Sequence, residues 1–219
     1  MLFVNFKTYE QGTGGDAVTL AEILEEVASS AQLKIAAVVQ AADILEIVQN
    51  VTLEVWAQHI DPIDYGAHTG AILPESIKED GAIGTFLNHS EHKFDNFDEL
   101  ETAHKRAQEL DLKTLVFVAD LEELRLILKL KPTFVAYEPP ELVGSKTTSV
   151  AEAKPEVIAQ AVGLAKEEGL PLIVGAGIKS SADIRKSIEL GASGVAVASD
   201  IVTAKDPKKE LLELVEGFE

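Results

Sequence analysis

Cysteine is absent from the chain, which has only one methionine and one tryptophan in 219 residues. Without cysteine the protein forms no disulfide, uses no thiolate nucleophile and holds no cysteine-ligated zinc. No apolar run approaches the roughly 18 residues of a membrane-spanning helix, so no membrane partner is expected. The start, Met1 to Lys7, is typical of a strand rather than a signal peptide, and a cytoplasmic location is the expectation.

Basic residues are scarce as well. The chain carries 19 Lys and Arg against 37 Asp and Glu, for a formal net charge of −18. Nucleic acids and anionic membranes attract clustered cations, and the sequence shows no such cluster, so neither is an expected partner. A small anionic substrate remains compatible with this charge if cations act on it at short range.

Short, β-branched runs alternate with helical stretches from one end of the chain to the other. Many of the runs are apolar throughout, which is typical of parallel strands covered on both faces. The predicted strands are Leu2–Lys7, Leu33–Val39, Leu53–Ala57, Ala82–Phe86, Thr114–Val118, Phe134–Tyr137, Leu172–Gly175 and Gly194–Ala198.

The clearest predicted helices between the strands are Asp16–Ser30 and Val150–Gly169, with a shorter one at Asp183–Leu190 and a last one beginning near Pro207. An α/β chain of this order closes either as a barrel or as an open, doubly wound sheet. About eight strand-and-helix units without a linker favour the barrel. We therefore predict one (β/α)8 domain over residues 1–219.

Polar residues at the predicted strand ends are candidates for function, because either architecture places its site there. Asn5 and Lys7 alternate on the first strand and should share a face. A buried lysine is unfavourable without a partner, so Lys7 is either functional or reaches solvent. Glu138 follows the sixth strand and precedes Pro139, which suits a general base, although an exposed loop acid has the same pattern.

Histidines and glycines extend this set of candidates. The spacing of His89 and His92 could hold a metal, but no third ligand is evident, and we predict no metal site. The segment around Gly144 and Lys146 lacks the first glycine of a phosphate-binding P-loop. The stretches Gly144-Ser145 and Gly175-Ala176-Gly177, with Ala198 and Ser199 before a helix, could instead offer backbone N–H groups to a phosphate.

Taken in order, these pieces resemble the triosephosphate isomerase family over nearly the whole chain. Asn5-Phe6-Lys7 is similar to its Asn-x-Lys on the first strand. His89-Ser90-Glu91 resembles its His-Ser-Glu after the fourth strand, and Ala136-Tyr137-Glu138-Pro139 resembles its Ala-Tyr-Glu-Pro after the sixth. Residues 66–70 resemble its protruding third loop. The short region after the fifth strand, residues 120–131, resembles the archaeal form of the family.

The resemblance implies interconversion of dihydroxyacetone phosphate and glyceraldehyde 3-phosphate through an enediolate, without a cofactor or metal. It implies that Glu138 is the base, that neutral His89 and Lys7 polarise the carbonyl, and that Asn5 orients the substrate. It further implies that Glu91 pairs with Lys7 and that Ser90 holds Glu138. The implied phosphate ligands are Gly144, Ser145, Gly175, Gly177, Ala198 and Ser199. Thr69 would insert into a neighbouring subunit of a homodimer or, alternatively, a homotetramer.

Two departures from the family pattern affect the phosphate contacts. Gly144-Ser145-Lys146 stands where the lid usually carries Gly-Thr-Gly, and Asp200 stands where a small residue is commoner. Asp200 would repel a phosphate unless it caps the following helix and points away. Two alternatives remain: another phosphate-binding barrel enzyme, or a barrel that binds phosphate without catalysis. Convergence of Lys7, His89 and Glu138 on one pocket would separate the isomerase from both.

Overall fold

The computed structural model describes residues 1–138 and 155–219. Its strands are β1 (Leu2–Asn5), β2 (Ile35–Val39), β3 (Glu54–Ala57), β4 (Gly84–Leu87), β5 (Lys113–Val118), β6 (Phe134–Tyr137), β7 (Leu172–Val174) and β8 (Gly194–Val197). Each strand pairs in parallel with its neighbours in sequence, and β1 also pairs with β8, with Phe3 opposite Ala196. This closure confirms the predicted (β/α)8 barrel and excludes the open sheet.

The helices of the described residues surround the strands. They are α1 (Gly15–Ala31), α2 (Ile44–Asn50), α3 (Pro74–Glu79), α4 (Phe97–Glu109), α5 (Leu121–Ile127), α6 (Pro155–Glu167), α7 (Ser181–Glu189), α8 (Ser199–Val202) and α9 (Pro207–Val215). The helix predicted from Val150 is α6 from Pro155 onward, and residues 150–154 lie outside the described residues. None of the helices in the described ranges is both long and apolar enough to cross a membrane.

The alternation of side chains along each strand produces two apolar cores. Leu2 and Val4 of β1 belong to the larger core between the strands and the helices, whereas Phe3 belongs to a smaller one inside the barrel. Helices cover the outside of the sheet, which is why both faces of the strands are apolar. The interior residues are Phe3, Ala36, Val38, Trp56, Phe86, Leu115, Phe117, Ala136, Ile173 and Ala196.

Aromatic rings fill the N-terminal half of the barrel. The ring centroid of Phe3 lies 5.1 Å from that of Trp56 and 5.5 Å from that of Phe134, both with edges against faces. Gly84 has no room for a side chain there, because a Cβ would approach Trp56 Cε3 to 2.6 Å. The interior is thus packed at this end, and a cleft is formed at the opposite, C-terminal end of the strands.

Candidate active site

A cleft of about 510 Å³ lies at the C-terminal ends of the strands. Side chains and backbone that follow β1, β4, β6, β7 and β8 line it together. Closing the sheet brings these distant parts of the sequence to one rim. The lining includes the following residues that were predicted for the site: Asn5, Lys7, His89, Glu91, Glu138, Gly175, Gly177, Ala198 and Ser199.

Glu138 is a buried carboxyl group directly after β6. Its backbone N–H donates to the carbonyl oxygen of Val118 at 2.9 Å, which continues the pairing with β5 and fixes the residue at the rim. Burial raises the pKa of its carboxyl group to about 7, against the opposing effects of the Ser90 hydrogen bond and the charge of Lys7. Such a pKa lets the group exchange a proton near neutral pH, as a general base requires.

His89 lies in the turn after β4 with its imidazole largely buried. Burial, and next the charge of Lys7, lowers the pKa of the imidazole to about 4, although Glu91 opposes this. The ring is therefore neutral near pH 7. Its Nδ1 accepts a hydrogen bond from the backbone N–H of Glu91 at 3.2 Å, so the single proton of the neutral ring is on Nε2. His89 thus presents a neutral N–H donor.

The donor of His89 and the base of Glu138 lie next to each other. Nε2 of His89 is 3.7 Å from Oε2 of Glu138, which is too long for a direct hydrogen bond. With a neutral imidazole this contact is not an ion pair either. Both groups border the same cleft, so a substrate carbonyl and its neighbouring carbon could meet the donor and the base together.

Lys7 is placed by a turn and not by the strand. β1 ends at Asn5, and Lys7 has a left-handed backbone with φ of 48°. The prediction that strand alternation places Lys7 on the same face as Asn5 is therefore wrong, because Lys7 lies beyond the end of the strand. The Lys7 N–H donates to Asn5 Oδ1 at 3.0 Å, and Gln58 Nε2 donates to the Lys7 carbonyl oxygen at 2.9 Å. Its ammonium donates to Glu91 Oε1 at 2.6 Å.

The glycines after β7 contribute differently from each other. The Gly175 N–H donates to the Tyr137 carbonyl oxygen at 3.1 Å, so it is engaged in the sheet and not offered to a ligand. A Cβ at this position would lie 3.4 Å from the Cβ of Glu138, an ordinary van der Waals contact, so the residue packs directly against the proposed base. Gly177 has φ of 69°, a conformation that glycine adopts without strain.

Ala198 and Ser199, which follow β8, also line the cleft. Ala198 precedes the short helix α8, and Ser199 begins it. The N–H groups in the first turn of a helix have no acceptor within the helix, so they can donate to an anion. That these uncharged backbone groups bind the phosphate stays a prediction.

Comparison with known proteins decides what kind of site this is. A family model described as triosephosphate isomerase matches residues 1–217. The chain belongs to the triosephosphate isomerase family. Proteins named triosephosphate isomerase from Metallosphaera sedula and Methanobacterium bryantii are 44% and 43% identical to it, over 99% and 98% of this chain and 95% of each relative. A third, from Saccharolobus solfataricus, is 42% identical over 100% of the chain and 94% of its own length.

Two further charged residues, Lys179 and Asp200, line the cleft. Lys179, after β7, lines the cleft, and its Nζ is buried with no hydrogen-bond partner among the described residues. Sequence reasoning did not single it out. Asp200 is exposed in the first turn of α8 and also lines the cleft. The N-cap of α8 is Ala198 and no side chain caps this helix, so the alternative that Asp200 caps it and points away is wrong.

The remaining predicted residues lie beside the cleft or outside the described part. Ser90 contacts the site through its hydroxyl, which donates to Glu138 Oε2 at 2.7 Å. Thr69 is in an exposed loop and does not line the cleft. Gly144 and Ser145, the ligands predicted in the triosephosphate isomerase lid, lie outside the described residues.

The second histidine of the 89–92 pair turns away from the first. The His92 N–H donates to the His89 carbonyl oxygen at 2.8 Å, and the His92 ring stacks on His59 with centroids 4.0 Å apart. Within residues 1–138 and 155–219, no three candidate ligand side chains converge as a metal site would need. The pair forms part of a tight turn that carries His89 at the site.

Proposed function

We propose that the chain interconverts dihydroxyacetone phosphate and D-glyceraldehyde 3-phosphate by a 1,2 proton shift through an enediolate, in glycolysis and gluconeogenesis. Membership of the triosephosphate isomerase family supports this reaction. The observation that carries the proposal is the pair formed by Glu138 and His89, a base with a raised pKa 3.7 Å from a neutral donor. A cytoplasmic location is part of the proposal, because glycolysis operates in that compartment.

Glu138 is the proposed base. With a pKa of about 7 it is ionised in a large part of the molecules at neutral pH and binds a proton strongly enough to take one from carbon. The proton then returns to the neighbouring carbon from the same carboxyl group, while the hydroxyl proton of the substrate passes from one of its two oxygens to the other, so that the carbonyl and hydroxyl groups exchange places. Between the two proton transfers the substrate is an enediolate, whose negatively charged oxygen must be stabilised until the proton returns.

His89 and Lys7 are the proposed stabilisers of that oxygen. A glutamate base beside a neutral histidine is the arrangement already described for this family. Here the protonated Nε2 of His89 follows from the hydrogen bond that Nδ1 accepts. Lys7 adds a fixed positive charge, held by Asn5 and Gln58 through its backbone. Donors arranged in advance around a developing oxyanion each contribute about 3–4 kcal/mol to catalysis.

The phosphate group is proposed to bind at the opposite side of the cleft. Gly177, Ala198 and Ser199 line the cleft and are proposed to bind it through their backbone. Gly144 and Ser145 of the lid are proposed as further phosphate ligands. The ammonium of Lys179, which has no hydrogen-bond partner within residues 1–138 and 155–219, is proposed to supply a cation that the sequence motifs did not indicate. The net charge of −18 does not prevent binding, because surface charges are screened beyond about 8–10 Å.

Self-association is proposed through the exposed loop at 64–71, which includes Thr69. A second cavity of about 500 Å³ borders Lys7 and His89 and is also lined by Thr8, Gln40, Gln58, His59 and His92. We propose that the loop of one copy fills this cavity of another, in a homodimer or alternatively a homotetramer. The N-terminal end of the loop is held by Arg106, whose guanidinium contacts Asp64 at 3.1 Å and also binds Glu75.

A coupled assay tests the proposed reaction. Conversion of glyceraldehyde 3-phosphate is followed through NADH oxidation for the wild type, for Glu138→Gln and for the matched surface variant Glu168→Gln. We expect rapid turnover in the wild type and Glu168→Gln, and a loss of several orders of magnitude in Glu138→Gln. A folded but inactive wild type would contradict the proposed function and favour another phosphorylated substrate. Activity that survives in Glu138→Gln would contradict only the assigned base.

A further inference from the structure

Asn88, the residue before His89, is held in an unusual conformation. Its φ is 60°, in the left-handed region that asparagine tolerates better than most residues. Its side-chain Nδ2 donates to the Phe117 carbonyl oxygen at 3.1 Å and to Glu123 Oε1 at 2.9 Å. The chain therefore leaves β4 in a direction fixed by two contacts to β5 and α5.

Glu123 in the first turn of α5 is the centre of these contacts. Besides Asn88, its carboxylate accepts the backbone N–H of Ala119 at 2.6 Å, through Oε2. Lys93 Nζ lies 3.4 Å from Oε1 and 3.5 Å from Oε2. One carboxylate therefore contacts Asn88 and Lys93, at the two ends of the turn 88–93, and also the end of β5.

The contacts of Glu123 differ in strength. Lys93 is partly exposed, and an ion pair of this kind contributes little in water. The bonds from Asn88 and from the Ala119 N–H are the stronger ones, because a charged acceptor makes short hydrogen bonds. The attachment of the turn thus depends mainly on the Asn88 side.

His89 depends on this turn for its position. Its Nδ1 is held by the Glu91 N–H, and its carbonyl oxygen accepts from the His92 N–H, both within the same turn. Among the described residues, the only aromatic ring that packs against its imidazole is that of Phe117, with ring centroids 4.8 Å apart. Any displacement of the turn therefore moves Nε2 relative to Glu138.

We propose that Glu123 is a positioning residue for the isomerase reaction: through Asn88 it holds the turn that places Nε2 of His89 at the substrate oxygen. Glu123 does not line the cleft, so it acts without touching the substrate. The inference rests on the proposed function. Displacement of a catalytic group by about 1 Å can lower the rate about 100-fold, which makes an outer contact of this kind measurable.

Steady-state kinetics of Glu123→Ala, Glu123→Gln and Glu122→Ala test the proposal. Glu122 is the exposed neighbour in the same helical turn and serves as the control. We expect kcat to fall about 10- to 100-fold in both Glu123 variants with KM changed less than about threefold, as for other outer contacts of reactive groups. Glutamine keeps the size of the side chain, but it cannot accept from both Asn88 and the Ala119 N–H.

A double-mutant cycle with His89→Gln separates positioning from general stability. If Glu123 acts through His89, then Glu123→Gln costs little further activity once His89 is replaced. A loss of the same factor in both backgrounds would overturn the proposal, and so would an unchanged kcat in the folded Glu123 variants. An inactive wild type would instead contradict the proposed function itself. Thermal melting of each variant checks folding, and Glu123→Gln carries the test if Glu123→Ala does not fold.

Discussion

Ser90 Oγ donates a 2.7 Å hydrogen bond to Oε2 of Glu138, the same oxygen that lies 3.7 Å from Nε2 of His89. The hydroxyl stabilises the charged form of the base, whereas burial of the carboxyl group destabilises it more strongly. The pKa of Glu138 is the balance of the two effects. Changing either of them should change the pH at which the enzyme works.

Ser90→Ala should move the acid limb of the pH profile upward. The reaction needs the carboxylate of Glu138, so kcat/KM falls as the pH drops through the pKa of about 7. Without the serine hydroxyl that pKa rises, and the loss at about pH 6 should exceed the loss at about pH 8.5. Profiles of kcat/KM for the wild type, Ser90→Ala and the exposed-surface control Ser193→Ala provide the measurement. A limb that does not move would show that Ser90 does not stabilise the carboxylate.

Glu138→Gln should be more stable than the wild type at alkaline pH. Burial raises the pKa of Glu138 from 4.5 to about 7 in the folded protein. The wild type therefore keeps its full free energy of unfolding below about pH 4.5, where the carboxyl group is protonated in both states, and loses part of it as the pH rises through about 7. The difference between the two pKa values corresponds to a loss of roughly 3 kcal/mol in the free energy of unfolding of the wild type at alkaline pH. Urea unfolding near pH 8.5 and near pH 5 checks it, with Glu168→Gln as the control. An equal gain in the free energy of unfolding at both pH values would show that the gain does not come from removing the buried carboxylate charge.

Lys179→Met should raise KM more than it lowers kcat. The buried ammonium lines the cleft and has no hydrogen-bond partner among the described residues, so a phosphate dianion gains a cation there. We expect KM to rise about tenfold, since a hydrogen bond to a charged group contributes about 1.5–3 kcal/mol. Lys186→Met is the control, because Lys186 is a surface residue of α7 that pairs with Glu189. An unchanged KM would exclude Lys179 from the phosphate site.

Asp200→Ser should lower KM. Asp200 is an exposed carboxylate at the rim of the cleft, where it repels an approaching phosphate. The gain should shrink as salt is added, because mobile ions screen exposed charges. Initial rates at low and at high ionic strength, compared with the wild type, provide the test. A higher KM in the variant would show that the carboxylate assists binding.

Thr69→Arg should weaken self-association and activity together. Thr69 lies in the exposed loop at 64–71. We propose that this loop fills the second cavity of another copy, and Lys7 of that copy lines the cavity. A long charged side chain at this position should be too large for the cavity. Sedimentation across a concentration series measures the effect, with Thr19→Arg on the exposed part of α1 as the control. A wild type that stays monomeric, or a variant that associates equally well, would contradict the proposal.

The sequence predicted the barrel and the position of Glu138 well, because both depend on local patterns. β6 runs from Phe134 to Tyr137 as predicted, and the residue after it necessarily lies on the rim. Strand ends were less predictable: β1 stops at Asn5, and the left-handed turn that places Lys7 is stabilised by Gln58, a residue distant in sequence. Nothing near Lys7 indicates that contact.

Other parts of the site depend on hydrogen bonds that a linear pattern does not specify. Gly175 has the spacing of a phosphate-binding glycine, yet its N–H pairs with Tyr137 in the sheet. The link between Asn88 and Glu123 joins residues 35 positions apart and is visible only when β4 and β5 lie side by side. Lys179 could have been found from the sequence, because it follows the glycines of the predicted phosphate site.

Isomerisation in deuterated water shows whether Glu138 moves a proton between two carbons of the substrate. A carboxyl group that exchanges its proton with solvent should leave deuterium on the carbon that receives the proton, detectable by proton NMR of the product. We expect deuterium in the wild-type product, and loss of both turnover and exchange in Glu138→Gln. Exchange at the wild-type rate in Glu138→Gln would show that another group moves the proton.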